Sequence, residues 1–484
     1  MTLLMLLEMV ASALGGRRAV GTRARGITYQ QLLGRAGAGA EVIRRRRAGC
    51  VAYVGTSDVA FPVALFAAAW AGVPLLPLSY RLADEQLRAL LAEHDDVLVI
   101  TDAPERCRGA AATVLSVDEW DALTSVPVEA APSTTDGDDV AVLLPTSGTS
   151  AAPKTVVLRH RHLASYVIGS VEFAGADEAE ATLVSVPPYH IAGVANVASS
   201  VFAGRRIAYL PTFDSEVWLA TIRAEGITHA MVVPTVLARV VEHLAGADGD
   251  CPTLGSLAYG GARMPVTVLE RALAAFPDVG FVNAYGLTET SSTIAVLGPD
   301  DHRAARDGDE QARGRLASVG RLVPGIEADV RDGEIWVRGE QVSGEYLGRA
   351  GSLDDDGWFP TRDRGWVDED GYLFVEGRSD DTIIRGGENI APAEVEDVLL
   401  SHPAVLDVAV VGLPDEQWGQ RLAAAVVLRP GTVVDEAELR DLVRGRLRSS
   451  RTPDLIAFRD ALPRTDSGKL LRRSVLADLT APTA

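Results

Sequence analysis

Cysteine is scarce in this 484-residue chain, which holds only Cys50, Cys107 and Cys251. An odd count at wide spacing supplies neither a zinc pattern nor a disulfide framework. A reducing, cytoplasmic setting is the expectation. Positive charge is also short: 46 Lys and Arg face 66 Asp and Glu, a net charge of −20. That balance argues against a general nucleic-acid binder, whose affinity needs a basic face. It leaves room for an anionic ligand in a locally positive pocket. Long apolar runs are missing too. The stretch VALFAAAWAGVPLLPLS (63–79) is broken by Gly and Pro, so no transmembrane segment is expected. The first sixteen residues, MTLLMLLEMVASALGG, lack a positive leader, and Glu8 interrupts them. They read as an amphipathic helix packed on the body, not as a targeting segment.

Lysine is the rarest basic residue. It occurs only at Lys154 and Lys469, and arginine fills the other basic positions. A guanidinium is a wide fork, whereas an ammonium is a compact point charge on a flexible stem. A site that needs a small cation between two anions does not accept arginine easily.

What is present is ordinary globular material, with 47% hydrophobic and 23% charged residues. The length corresponds to about three domain-sized units, here read as fused into two domains. Strand candidates CVAYVG (50–55), VPLLPLS (73–79) and VLVI (97–100) alternate with helix candidates, Asp58 through Trp70 and ADEQLRALLAEH (83–94). Such alternation predicts βαβ units and a parallel sheet. Pro104 to Asp138 is polar and reads as a surface connection. A second alternating block runs from Val140 to about Leu297, followed by a charged, loop-like segment from Asp300 to Arg315. Short strands with Gly-rich turns over Ser318–Val375 predict a small β-rich subdomain. After Gly377 the helix candidates APAEVEDVLLSH (391–402) and EAELRDLVRGRL (436–447) flank two strand candidates, LDVAVVGLP (406–414) and RLAAAVVLRP (421–430), which suggests an α+β unit. In its last helix Leu439, Leu442, Val443 and Leu447 share one apolar stripe. The fold class is therefore α/β: a large N-terminal domain over 1–379 with βαβ-type sheets and a small β-rich subdomain, then an α+β C-terminal domain over 380–484, whose mobility is implied only by the resemblance given below.

Four segments carry chemistry. The first is PTSGTSAAPKTVVL (145–158), a strand that runs into a loop of small hydroxylated residues. Thr146, Ser147, Thr149 and Ser150 offer hydroxyls, and Gly148 lets backbone N–H groups turn towards a polyphosphate. Gly148, Lys154 and Thr155 sit at P-loop spacing, yet Pro153 replaces the required glycine and β-branched residues follow where a helix should start. A Ser/Thr-rich hairpin is the competing reading. The second segment is NAYGLTET (283–290), where Tyr285 offers an aromatic face and Thr288 and Glu289 a hydroxyl and a carboxylate suited to magnesium. In the third, residues 357–390, Asp363 lies between aromatic strands and Arg378 follows as a phosphate- or ribose-reaching guanidinium; a surface ion pair is the plain alternative. The fourth is LPRTDSGKLLRR (462–473), which places Lys469 after a Ser-Gly turn, where a frayed tail is usual.

Together, in this order, these segments resemble the adenylate-forming superfamily of acyl-CoA synthetases, stand-alone adenylation domains and beetle luciferase. The resemblance spans about Thr28 to Arg473. The family's loop lysine and C-terminal catalytic lysine match Lys154 and Lys469. Two lysines scattered at random over interchangeable basic positions would hit that pair roughly once in a thousand trials.

The resemblance implies an ATP-dependent acid–thiol ligase. A carboxylate attacks the α-phosphate of ATP, pyrophosphate leaves, and the thiol of coenzyme A then displaces AMP from the acyl-adenylate. It implies that Thr146, Ser147, Gly148, Thr149, Ser150 and Lys154 embrace the β- and γ-phosphates. Gly260, Gly261, Ala262 and Tyr285 hold adenine. Thr288 touches the α-phosphate, Glu289 holds Mg²⁺, and Asp363 and Arg378 fix the ribose. Lys469 bridges the incoming carboxylate and the α-phosphate, where a point cation lowers the repulsion between two anions. Asp380 matches the hinge about which the C-terminal domain rotates, bringing the segment Arg385, Gly386, Gly387 and Glu388 to the thiol channel. His190, in PPYHIAG, matches the histidine at the mouth of that channel. Val194, Val233, Val236 and Gly261 are the expected acyl-pocket walls.

Three positions depart from the family pattern: Pro145, Ala151 and Thr155. Ala151 is expected to alter loop closure without abolishing activity. Amino-acid-activating relatives carry an Asp where His190 stands, so an α-amino acid is disfavoured; a fatty, aryl or other carboxylic acid, or an oxyanion such as nitrite, remains. The acceptor is coenzyme A or the phosphopantetheine arm of a carrier protein. Arg444, Arg446, Arg448 and Arg451 read as a solvated helix face rather than a phosphate site. A catalytically silent nucleotide-binding module is the reading from another class. The expected assembly is a monomer or homodimer.

Overall fold

The computed structural model describes residues 1–111, 113–146, 154–465 and 470–480. Two sheets dominate the first three quarters of the chain. One has nine strands in the order Arg321–Leu322, Ser292–Leu297, Gly280–Leu287, Ser256–Gly260, His229–Val232, Ala181–Val184, Arg206–Tyr209, Arg18–Gly21 and Gly26–Thr28. The pairings from Gly280–Leu287 through Arg18–Gly21 are parallel, and antiparallel strands close both edges. The other sheet has six strands: Thr113–Ser116, Val97–Thr101, Cys50–Val54, Leu75–Pro77, Val140–Thr146 and Lys154–Arg159. All its pairings are parallel except the last. Parallel strands need covered faces, and the main core provides the cover. Helices Leu3–Leu14, Tyr29–Arg45, Ala60–Ala71 and Ile191–Ala203 share one apolar cluster with strand residues of both sheets. Ala60–Ala71, AFPVALFAAAWA, is buried around nearly its whole circumference, as an interior helix must be.

The N-terminal helix meets its expectation. Thr2 Oγ1 caps it by accepting the Met5 N–H, and Leu3, Leu4, Leu6, Leu7, Val10 and Ala11 are buried. Met5 and Met9 stay exposed on the other face.

Two loop expectations are corrected. The stretch Pro104–Asp138 is not merely a surface connection. It contains the edge strand Thr113–Ser116 and the helix Val117–Thr124, which starts at a capping box between Ser116 and Glu119. Trp120 from that helix is wholly buried. It fills the space left by Gly39, where a Cβ would approach the ring to 2.8 Å. One apolar anchor among polar residues gives too little periodicity to read. The segment Asp300–Arg315 likewise holds helices Pro299–Arg306 and Glu310–Arg315, the second capped by Asp309. Only His302, Ala305 and Ala312 point inward there, so the charge of the solvent face dominates the sequence.

The β-rich subdomain is a four-stranded antiparallel sheet, Glu327–Arg331, Glu334–Arg338, Phe359–Val367 and Leu373–Arg378. Beyond it, Ile383–Arg385, Glu388–Ile390, Val405–Asp415, Gly419–Leu428 and Leu455–Phe458 form a separate five-stranded sheet. Helices Pro392–Leu400 and Glu436–Arg446 contribute to its own core, with Leu439 and Val443 buried as the stripe predicted.

Candidate functional site

In an open parallel sheet, ligands gather outside the carboxyl ends of the strands. Four neighbouring strands of the nine-stranded sheet deliver residues there. His190 follows Ala181–Val184, Val233 follows His229–Val232, Gly260 ends Ser256–Gly260, and Tyr285 lies near the end of Gly280–Leu287. Gly260 pairs with Ala284, and a Cβ on it would come within 2.2 Å of the Ala284 carbonyl oxygen. Gly261 turns the chain with φ +81, and a Cβ on it would lie 3.7 Å from Val233 Cγ1, while Ala262 beside it is exposed. Val236 is half-buried on the following helix, whereas Val194 is fully buried in the main core. His190 precedes the helix Ile191–Ala203, with its ring 4.7 Å from that of Tyr189. The turn is tight because a Cβ at Gly193 would meet the Pro187 carbonyl oxygen at 2.5 Å.

Asp363 is the best-held carboxylate of this region. Antiparallel register sets it directly across from Arg378. Arg378 donates to its Oδ1 at 3.2 Å, and the Tyr285 hydroxyl donates to its Oδ2 at 2.6 Å. The Asp363 side chain is 7% exposed. Burial, with the Asp363 charge beside it, pushes the Tyr285 hydroxyl well above the usual phenol range, so it remains a donor. An aromatic ring, a carboxylate and a guanidinium from three strands thus form one cradle.

Glu289 lies in the short 3-10 helix Thr288–Thr290. The next two residues, Ser291 and Ser292, have φ values of +56 and +115, rare for residues with a side chain. Such backbone costs of order 1–3 kcal/mol per residue and persists where surroundings enforce it. Gln341 enforces it here, donating to the Thr290 and Thr293 carbonyls at 3.0 and 2.9 Å. The Tyr346 hydroxyl donates to Glu289 Oε1 at 2.8 Å. Among the described residues no three His, Cys, Asp or Glu side chains converge as a metal cage. One carboxylate beside a hydroxyl nevertheless suits Mg²⁺, which takes one or two protein oxygens and completes its shell from phosphates and water.

Thr146 and Lys154 face each other across the antiparallel pair that closes the phosphate-loop candidate, and Thr146 Oγ1 donates to the Lys154 carbonyl at 3.1 Å. Lys154 begins a strand, not a helix, so the P-loop alternative fails. Its ammonium sits 5.3 Å from the centre of the Tyr346 ring. Ser147, Gly148, Thr149 and Ser150, with Ala151, lie outside the described residues, as does Lys469.

The hinge candidate Asp380 is exposed within the 3-10 turn Ser379–Asp381. Gly386 and Gly387, at φ +58 and +85, make the two-residue turn between Ile383–Arg385 and Glu388–Ile390. Arg385 is held by Asp454 at 2.9 Å, and Glu388 by Arg451. Arg451 also pairs with Glu394 at 3.0 Å, so it is not part of a solvated helix face; Arg444, Arg446 and Arg448 are exposed. Arg263, just after Ala262, forms an ion pair with Asp397 on helix Pro392–Leu400. That pair, Tyr346 and Gln341 were not legible beforehand, because each acts through a partner distant in sequence.

Residues 7–347 match the AMP-binding enzyme family, and residues 394–469 match the AMP-binding enzyme C-terminal domain. A 2-succinylbenzoate–CoA ligase from Bacillus licheniformis is 34% identical over 438 residues, 87% of each chain. The fatty acid–acyl-carrier-protein ligase ScoC of Streptomyces coeruleorubidus is 32% identical over 456 residues, 88% of this chain and 86% of its own. Among solved structures, ATP-bound MatB from Rhodopseudomonas palustris superposes with a TM-score of 0.87 at 27% identity, covering 99% of both chains. With both parts of the family's pattern matched in order on the expected fold, the chain belongs to the AMP-binding enzymes, the adenylate-forming superfamily of ATP-dependent, AMP-forming ligases.

Proposed function

We propose that this enzyme activates a carboxylic acid as its acyl-adenylate and passes the acyl group to the thiol of coenzyme A. The observation that carries the reading is the Tyr285–Asp363–Arg378 cradle, built at the strand ends where a nucleoside would lie. In this reading Asp363 and Arg378 fix the ribose, and Tyr285 stacks on adenine beside the Gly260–Ala262 turn. Thr288 contacts the α-phosphate. Lys154 and the hydroxyls of Thr146, Ser147, Thr149 and Ser150, with Gly148, surround the outer phosphates. Mg²⁺, held by Glu289, would neutralise the charge shared by the phosphates and the departing pyrophosphate. Lys469 brings the acid's carboxylate oxygen to the α-phosphorus, with the bond to pyrophosphate breaking in line. The acyl chain then lies along Val233, Val236, Gly261 and the turn that leads to Val194.

The first half-reaction and thiol attack need the same space over the acyl carbonyl. Rotation of residues 380–484 about Asp380 would remove Lys469 and present the Arg385–Glu388 turn, with His190 opposite, for the thiolate to attack and AMP to leave. Transfer to a carrier-protein phosphopantetheine is the second reading, favoured by the likeness to the carrier-protein ligase.

Pyrophosphate release across a panel of fatty, aryl and dicarboxylic acids, with nitrite included, tests the activity. Product analysis with coenzyme A or a loaded carrier protein assigns the acceptor. The variant Lys469→Ala should lose adenylate formation by about 100-fold or more, as removal of a transition-state charge donor does. It should retain thiolysis of supplied acyl-adenylate. Equal loss of both half-reactions contradicts the rotation.

A further inference from the structure

We propose that Tyr346 is a positioning residue that ties the phosphate-facing ammonium of Lys154 to the metal-facing carboxylate of Glu289. The inference rests on the roles given above to those two residues, and it adds the part that sets their mutual placement. Two faces of one side chain do separate work. The hydroxyl donates to Glu289 Oε1 at 2.8 Å, which fixes the carboxylate's rotation. The ring face lies 5.3 Å from Lys154 Nζ, within range of a cation–π attraction.

The segment that carries Tyr346 is itself braced on both sides. Val157 N–H donates to the Glu345 carbonyl at 3.0 Å, and Leu347 N–H donates to the Thr155 carbonyl at 2.9 Å. Arg159 grips the Glu345 carboxylate with two bonds of 2.9 and 2.8 Å. Ser343 N–H donates to the Glu289 carbonyl at 2.8 Å. Residues 343–347 therefore staple the strand Lys154–Arg159 to the 3-10 helix Thr288–Thr290. Tyr346 is the one member whose side chain touches both candidate ligand-binding groups.

Hydrogen-bond partners of metal-binding carboxylates typically matter by about 10–100-fold in metal affinity. Tyr346→Phe removes the hydroxyl and keeps the ring. Tyr346→Leu removes both. The test is calorimetric binding of α,β-methylene-ATP, without acid substrate, as a function of Mg²⁺. Tyr346→Phe should raise the Mg²⁺ concentration needed for half-maximal tightening by about tenfold. It should leave affinity for the metal-free analogue unchanged. Tyr346→Leu should also weaken the metal-free analogue, because Lys154 loses its platform. A Phe variant, folded by circular dichroism, with the wild-type Mg²⁺ requirement overturns the proposal, provided Glu289→Gln shifts that requirement. A wild-type enzyme whose binding of the analogue ignores Mg²⁺ overturns the role of Glu289 and this inference together.

Discussion

Replacing Asp363 with asparagine keeps the side chain's size and removes its charge. In the structure this carboxylate accepts from Tyr285 at 2.6 Å and from Arg378 at 3.2 Å. Hydrogen bonds to a charged group contribute about 1.5–3 kcal/mol and neutral ones about 0.5–1.5. Each bond therefore weakens by about 1 kcal/mol on substitution. The same difference applies to a ribose diol donating to this position. Two such bonds amount to about 2 kcal/mol, or roughly a 30-fold loss in ATP affinity. The opposite sign has its own logic. ATP is an anion, and if long-range repulsion from Asp363 dominated, Asp363→Asn would tighten binding. The assay is pyrophosphate release against ATP concentration at saturating acid, with calorimetric binding of a non-hydrolysable ATP analogue in parallel. A folded variant whose ATP affinity stays within about threefold of wild type, or improves, refutes the ribose assignment.

Further outcomes follow from burial and titration. Trp120 is wholly buried against Gly39, so Trp120→Ala should cost about 3–5 kcal/mol of unfolding free energy in a urea titration; a loss under 1 kcal/mol would mean the helix Val117–Thr124 is loosely attached. His160 accepts the Leu3 N–H at 3.3 Å through Nδ1, and burial lowers its pKa from 6.5 to about 4. The native state then binds fewer protons than the unfolded state between those values. Stability is full above pH 6.5 and falls on acidification towards 4, by about 1.4 kcal/mol per pH unit for this group. His162 and His229, also lowered to about 4 by burial, add to the slope. His160→Asn keeps an acceptor but cannot charge, so the slope of unfolding free energy with pH should fall by about that single-group amount; an unchanged slope counts against it.

Legibility in the sequence followed the strength of the local signal. Alternating strands and helices over 50–100 and 140–297 were readable because buried parallel strands are continuous apolar runs. The helices over Val117–Thr124 and Pro299–Arg306 were not, since a single Trp or a His–Ala pair anchors each against the body. At the site, Tyr285, Asp363 and Arg378 were legible as motif members. That they gather about one nucleotide was expected only from the family resemblance, and their hydrogen bonds to one another were not legible, because these depend on the register that sets Asp363 opposite Arg378 and on the neighbouring sheet that brings Tyr285 alongside. Tyr346 carried no signal, as its partners lie at positions 154 and 289.

Side-chain chemistry and its order along the chain are properties of the sequence alone. They determined the family, the α/β class and the pair of lysines spared in an arginine-rich protein. Tertiary structure decided which groups share a hydrogen bond: the two donors on Asp363, the strained serines held by Gln341, and the tyrosine set between Lys154 and Glu289. The reason is physical. A hydrogen bond requires its partners within about 3 Å and correctly aimed, and in this protein those partners lie 15 to 78 residues apart in the chain and are joined by sheet register and packing, which no local pattern encodes.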